Sequence, residues 1–323
     1  MALFLSENDV RQLLTMEMAL AGVESAHRDL ALGQALDTPR QRSRLPQTTL
    51  HILQGALPAQ GVLGYKAYTS NRSGNRFFVH LFDAASGKLR AVLEADTLGM
   101  MRTGAASGLA ARWLARPDSR VAGVFGAGWQ AEGHVQALCA ALPLERIKVF
   151  SRRTDKLHEF CARLREVTGV AVEPAASAEA AVRDSDIVGA VTTAAQPLFD
   201  AEWLADGTHI NAAGSNALIR QELSEATVRR CRLIAVDSVP TALAEAGDLL
   251  PLLEKGRLQP RQLVELGDIM IGRQPGRQEP GDITLFDSQG MASQDLAVAA
   301  RVVAAAEAAG IGSAWPAARN GEV

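Results

Sequence analysis

The segment Gly126-Ala127-Gly128-Trp129-Gln130-Ala131 directly follows the apolar run VAGVF at 121–125 and precedes a helical stretch. Glycines at this spacing, between a strand and a helix, make a phosphate cradle. The first glycine permits a tight turn, the second lets the backbone approach a pyrophosphate, and a small residue lets helix and strand pack closely. The helix N-terminus adds N–H donors and partial positive charge. An ordinary glycine turn would explain the GAG alone, but not its strand–turn–helix setting. An NAD-selective loop ends the second strand on an acid that bonds the ribose 2′-hydroxyl. Here that place reads Ser151-Arg152-Arg153-Thr154, with no acid before Asp155. A hydroxyl and two guanidiniums suit a 2′-phosphate, so the expected cofactor is NADPH, with NADH as the other candidate. The plainer reading has an arginine lying over the adenine or facing solvent.

Three further cation sites could do chemistry. Lys66 lies inside the apolar run Leu63-Gly64-Tyr65-Lys66-Ala67-Tyr68. A buried lysine loses its hydration and its pKa falls, which suits proton transfer; alternation alone equally allows a solvent-facing strand residue. Arg102, in Met101-Arg102-Thr103-Gly104-Ala105-Ala106-Ser107, opens a helix rich in small residues. A cation at a helix N-terminus is a plausible carboxylate or pyrophosphate clamp, and a surface arginine is the bland equivalent. Arg40, Arg42 and Arg44 alternate across TPRQRSRL, so an extended segment would set all three on one face, either as an anion site or as a wet edge. The six histidines (27, 51, 80, 134, 158 and 209) show no HxxxH or HExxH spacing, so no metal site is expected. GxSxG and GxxxxGK[ST] are absent as well, which excludes the usual hydrolase elbow and P-loop. His209 in GTHINAAG reads as a packed strand residue rather than a general base.

These residues need elements to position them. Residues 7–31 carry apolar positions at helical spacing after a Ser6/Asp9 start signal. From 50 to 95 the runs LHIL, LGYKAY, RFFVHLFD and LRAVLEA read as strands, with DAASGK (83–88) as an antiparallel turn. Residues 97–115 return to helical spacing, which makes 1–117 an α+β unit. After Asp118, strands are expected at 121–125, 147–151, 170–173, 186–191, 208–212 and 233–237. Helices near 130–142, 155–167, 177–183, 219–230 and 240–246 lie between them. Near-continuous apolar strands alternating with helices imply a parallel sheet covered on both faces, the Rossmann doubly wound fold, over 118–290. DITLFD (282–287) is a further strand, a helix spans 292–309, and 315–323 is expected to fray.

Composition narrows the class. With 47% hydrophobic and 21% charged residues the chain is globular, and 323 residues suit two domains. Thirty-three basic against thirty-six acidic residues leave net −3, so no nucleic-acid surface is expected. Cys139, Cys161 and Cys231 suggest no disulfide framework, which points to a reducing, cytoplasmic setting. The opening MALFLSENDV shows no signal peptide, and Arg301 and Glu307 break the Ala/Val run at 297–309, so no membrane span is expected.

Several segments together resemble the ornithine cyclodeaminase/mu-crystallin family. They are GYKAYT, EADTLGMMRTGAASGLAARWLARPDS running into VAGVFGAGWQAEGHV, GTHINAAGSN, VDS…EAGDLL and ITLFDSQGMASQDLAVA, in family order from about 40 to 310. The resemblance implies a homodimer whose N-terminal domain carries the substrate residues and the dimer contact, with the segment 291–323 returning to it. It matches Lys66 to the family's active-site lysine and Arg102 to the arginine holding the substrate carboxylate. Thr103 falls beside the cofactor phosphates, and Arg42 is the best match to a second carboxylate arginine, with Arg40 as the other candidate. Six residues before Glu222, Asn216 stands where cyclodeaminases carry an aspartate. Asn cannot act as a base, whereas ketimine reductases of the family also lack that acid. Ser215 and Asn216 would then orient the substrate nitrogen or a water.

The expectation is an NAD(P)H-dependent reductase of small imino or keto acids, equally an L-amino-acid dehydrogenase. The alternatives are a cyclodeaminase using bound NAD(P), and a non-catalytic ligand carrier, against which Lys66 and Arg102 speak. Arg40, Arg44, Arg72 and Arg76 make an acidic substrate side chain such as that of iminosuccinate conceivable, although they could equally be solvated.

Overall fold

The computed structural model describes residues 2–71 and 74–315; Arg72 and most of the tail expected to fray lie outside them. In chain order the elements begin with β1 (Leu3–Leu5), α1 (Glu7–Leu13), α2 (Met16–Ala31), β2 (Leu36–Arg44), β3 (Thr49–Leu57), β4 (Val62–Asn71), β5 (Gly74–Asp83), β6 (Leu89–Glu94) and α3 (Asp96–Leu114). Next come β7 (Val121–Phe125), α4 (Trp129–Ala141), β8 (Arg146–Phe150), α5 (Leu157–Thr168), β9 (Ala171–Pro174), α6 (Ala178–Val182), β10 (Ile187–Ala190) and β11 (His209–Ala212). The chain continues through α7 (Glu225–Arg230), β12 (Leu233–Val236), α8 (Val239–Glu245), α9 (Leu250–Glu254), β13 (Leu263–Glu265), α10 (Leu266–Met270), β14 (Thr284–Asp287), α11 (Ala292–Ala309) and β15 (Ser313–Ala314). Two units result: one from the residues up to Arg102 and from Met291 onward, the other Thr103–Gly290.

In the first unit the described strands order as β15-β1-β6-β5-β4-β3-β2. The register aligns Leu53, Lys66 and Val79 across β3, β4 and β5, and in the next row on that face it aligns Arg42, His51, Tyr68 and Phe77. Period-two alternation sends Leu50, Ile52, Leu63 and Phe78 to the opposite face, where each is more than a third exposed. Helix α11 packs on α2 and against β3, β4 and β5. A methyl on Gly22 of α2 would stand only 2.8 Å from Val298 Cγ2, so these helices approach closely. Met291 offers α11 no capping side chain, and Asp37 Oδ1 of β2 instead accepts from the Ser293 N–H at 2.7 Å. The helix expected over 7–31 is two helices, because Leu14 is extended and Thr15 starts α2 by accepting from the Met18 N–H.

The second unit holds a parallel sheet, ordered among the described residues β13-β12-β14-β11-β10-β7-β8-β9. From β9 to β11 this is the doubly wound order, with both faces covered. Phe125, Ile210 and Leu285 belong to one apolar cluster; Val124, Ile147 and Val149 belong to another. DITLFD supplies β14, which lies inside the sheet between β11 and β12. The helix expected over 219–230 starts only at Glu225, capped by Ser224. Upstream, the N–H groups of Glu222 and Leu223 are taken by Asp248 Oδ1 at 2.7 and 2.8 Å, so that stretch stays a loop.

Candidate active site

Lys66 is buried in β4 because its neighbours on that face, Leu53 and Val79, belong to the core. Its ammonium donates to Asp295 of α11, at 2.9 Å to Oδ1 and 3.1 Å to Oδ2. The same Oδ1 accepts from Arg102 Nε at 2.8 Å, and Arg102 Nη1 donates to Gln294 Oε1 at 3.1 Å. Gln294 Nε2 lies 3.1 Å from His27 Nε2, which ties α2 into the network. Burial pulls the Lys66 pKa down to about 7, Arg102 and Arg40 push the same way, and Asp295 opposes them. The result is an ammonium poised to give up its proton near neutrality.

Arg102 does not open its helix as expected. Helix α3 begins at Asp96, and Glu7 takes up its first N–H groups, from Asp96 at 3.0 Å and Thr97 at 2.9 Å. The anion-binding end of the helix is thereby satisfied, and Arg102 acts from a later turn through its side chain. On β2, Arg42 and Arg44 share the face of Lys66 by alternation, whereas Arg40 lies where the register shifts between Thr38 and Gln41. Arg42 is the strongest charge on His51, ahead of Arg40 and Arg44, and burial with these cations lowers His51 to about 4. Arg40 acts on both His51 and Lys66.

In the second unit, Gly126 needs its glycine: φ is +114° and an added methyl would meet the Val191 carbonyl at 2.6 Å. At Gly128 an added methyl would meet nothing within 4 Å, leaving the space a pyrophosphate requires. Gly128 also stands at the N-cap of α4, where no side chain caps the helix, the setting of an anion-binding helix start. Ala127, Trp129 and Gln130 complete the turn into α4, and Thr103 lies on α3 in the same unit. The residues present therefore fit a dinucleotide. Ser151, Arg152 and Arg153 follow β8, both arginines are exposed, and Ser151 Oγ accepts from the Arg153 N–H at 3.3 Å.

Ser215 and Asn216 follow β11 at the carboxyl end of the sheet, with Ser215 buried and Asn216 half-buried. Their loop is pinned by Glu222, which accepts from Thr192 N–H at 2.5 Å and Gly214 N–H at 2.8 Å, and by Gly247, whose N–H reaches the Ser215 carbonyl at 2.9 Å. Burial raises Glu222 to about 7. His209 is a packed strand residue: Nδ1 bonds Thr284 Oγ1, Nε2 bonds Asn211 Oδ1, and burial lowers it to about 3. Among the described residues no group of three His, Cys, Asp or Glu could hold a metal ion, and no helix is long and apolar enough to cross a membrane.

Sequence reasoning missed Asp295, Gln294, His27 and His51. One signal for Asp295 was available. Within ASQDLAVAARVV a lone acid enters an apolar helix, as Lys66 enters an apolar strand, and two such buried charges are complementary.

The ornithine cyclodeaminase/mu-crystallin family model matches residues 1–310. The chain belongs to that family. It is 32% identical to a Delta(1)-pyrroline-2-carboxylate reductase of Bacillus cereus, over 96% of this chain and 98% of the relative. The structure of Thermococcus litoralis Delta(1)-pyrroline-2-carboxylate reductase in complex with NADH and L-proline superposes with a TM-score of 0.93. It shares 30% identity and covers 97% of this chain and 100% of that one. An archaeal alanine dehydrogenase dimer with bound NAD superposes with a TM-score of 0.91 at 31% identity, covering 97% and 98%. This family member lies on the reductase and dehydrogenase side of the family and is an NAD(P)-dependent oxidoreductase.

Proposed function

We propose that this family member reduces small 2-imino acids to amino acids, with NADPH as the preferred cofactor. The observation that carries the reading is the buried Lys66–Asp295–Arg102 arrangement, with Lys66 set between the core residues Leu53 and Val79. When bound, the reduced nicotinamide supplies the hydride. Lys66 gives its proton to the substrate nitrogen as that nitrogen becomes an amine, and Asp295 steadies the ammonium until then. Arg102, held in place by Asp295 and Gln294, grips the α-carboxylate. Arg42 is the second carboxylate arginine in this reading, with Arg40, whose charge also acts on Lys66, as the other candidate. Fixing the carboxylate places the carbon to be reduced, which is a positioning contribution. Ser215 and Asn216 orient the substrate nitrogen or a water, and Asn216 cannot supply the base that a deaminating cyclase would use.

The apolar sheet face bearing Leu50, Ile52, Leu63 and Phe78 suits a second copy of this chain, making the working form a homodimer. Three free cysteines suit a reducing cytoplasm. The deciding experiment follows NADPH consumption with a panel of 2-oxo acids plus ammonia or methylamine, and with cyclic imines. Multiple turnovers with at least one imine are expected. Cofactor binding without turnover on any of them would leave only a carrier.

A further inference from the structure

We infer that His27 is a positioning residue for the carboxylate clamp: as a neutral ring protonated on Nδ1, it locks the Gln294 amide in the one orientation that can hold Arg102. This rests on the reductase reading and adds a residue to its machinery. His27 lies on α2, Gln294 on α11 and Arg102 on α3, and all three side chains are buried within one unit. Helices α2 and α11 approach so closely at Gly22 and Val298 that the imidazole, little more than a turn further along α2, reaches the amide.

The polarity of this chain of bonds is dictated from Arg102 outward. A guanidinium has N–H donors and no acceptor, so the Gln294 atom 3.1 Å from Arg102 Nη1 must be the oxygen, Oε1. The amide nitrogen is then the atom that faces His27 Nε2, also at 3.1 Å. A carboxamide nitrogen only donates. Nε2 must therefore accept with its lone pair, and the ring proton sits on Nδ1. A ring protonated on Nε2, as the other tautomer or as the imidazolium, would set two donors head to head. Turning the amide over relieves that clash only by bringing its NH2 against Arg102, where two donors meet again.

The consequence falls on substrate binding. Asp295 takes Arg102 Nε at 2.8 Å and Gln294 takes Nη1, and two contacts on a planar group fix both its plane and its rotation. An apolar residue at position 27 removes the acceptor that favours this orientation of the amide, so Oε1 is held toward Arg102 less firmly. The guanidinium then pivots on its contact to Asp295 and meets the α-carboxylate in fewer productive poses. Lys66 keeps its own bonds to Asp295, so proton transfer is left in place. The loss is in KM.

Two measurements on the full-length chain test this. In nitrogen NMR spectra of histidine-labelled protein at neutral pH, His27 Nε2 should give the signal of an unprotonated ring nitrogen and Nδ1 that of an N–H. The signals missing from His27→Gln identify the ring. A protonated Nε2 overturns the inference, and this readout needs no turnover and no variant at an apolar residue. Kinetics with NADPH use Δ1-pyrroline-2-carboxylate and, separately, pyruvate with ammonia, which both present the α-carboxylate. His27→Phe should raise KM about tenfold with kcat close to that of the parent. His27→Gln, which offers an oxygen near the place of Nε2, should return KM most of the way. With Gln294→Leu already present, His27→Phe should add nothing, because the imidazole acts through that amide. A KM untouched by His27→Phe, or a loss that His27→Gln does not mend, overturns the positioning role. If the parent reduces neither substrate nor any other imine, the reductase reading fails, while the nitrogen signals still decide the tautomer.

Discussion

Asp295 Oδ1 is shared: Lys66 Nζ donates to it at 2.9 Å and Arg102 Nε at 2.8 Å. One carboxylate thus couples the proton donor to the carboxylate clamp and ties α11 to β4 and α3. Asp295 is also the partner that raises the Lys66 pKa against burial and Arg102. Asp295→Asn should therefore lower that pKa below about 7. In the reducing direction the charged lysine is the active form, so the rate falls as pH rises through the Lys66 pKa. The variant should lose rate at lower pH than the parent, with turnover at pH 8 down on the order of 10²-fold. Removing one partner of a buried pair should also destabilise the fold by about 3–5 kcal/mol. An unshifted pH limb, in a folded variant, would dissociate Asp295 from proton delivery.

Lys66→Ala should abolish most turnover, by about 10²-fold or more, while the affinity for NADPH stays close to that of the parent. Lys66 belongs to the unit that lacks the glycine loop. The parent's two directions should have opposite pH dependence: oxidation of an amino acid needs the neutral lysine and rises with pH through about 7, where reduction declines. Rate profiles in both directions, with cofactor titration by fluorescence, measure this. A Lys66→Ala variant that turns over like the parent would remove the lysine from the mechanism.

The parallel sheet was legible in the sequence because strands buried on both faces, such as VAGVF and DIVGAV, are unbroken apolar runs between helices. Lys66 was legible for the same reason, as a cation where nothing polar belongs. Its pairing with Asp295 was not, because the acid, visible as a lone charge in an apolar helix, lies 229 residues further on and no local pattern encodes a contact at that separation. His51 was hidden by a strand whose other face is apolar, so LHIL looked like core. The break at Leu14 is set by the single cap at Thr15, and the short helices α9 and α10 start without side-chain caps, features that barely disturb helical spacing. The α3 start was misjudged because its cap, Glu7, comes from another helix.

Glu222 carries a pH dependence of stability. Its pKa is raised from 4.5 to about 7, chiefly by burial, so the folded state holds its proton more tightly than the unfolded chain. The stability it contributes is full below about 4.5 and is lost as pH rises through about 7. Asp248 and Asp287, both buried and raised, act in the same sense beginning from their lower ordinary values. Glu222→Gln should flatten the fall in Tm between pH 5 and 8, at the cost of a weaker hold on the Thr192 and Gly214 N–H groups. Thermal melts across that range decide it, and a slope identical to the parent's would assign the dependence to the two aspartates alone.

The cofactor preference turns on the loop after β8. No carboxylate stands there to reward a free 2′-hydroxyl or repel a 2′-phosphate, and the exposed Arg152 and Arg153 are available to bind one. Ser151 already accepts from the Arg153 N–H, so its hydroxyl proton can still be donated to a phosphate oxygen. Charge-assisted contacts of this kind contribute roughly 1.5–3 kcal/mol each, enough for about tenfold to hundredfold preference. The structures compared above hold NADH or NAD, so both cofactors must be measured side by side in this chain. Ser151→Asp with Arg152→Ala should move the ratio of kcat/KM toward NADH by about tenfold or more, because a carboxylate now accepts from the ribose hydroxyls and opposes the phosphate. The order of preference among imino acids should stay as it was, since the residues assigned to substrate lie elsewhere in the sequence. A parent that already prefers NADH tenfold would mean that the two arginines serve solvent and not the cofactor.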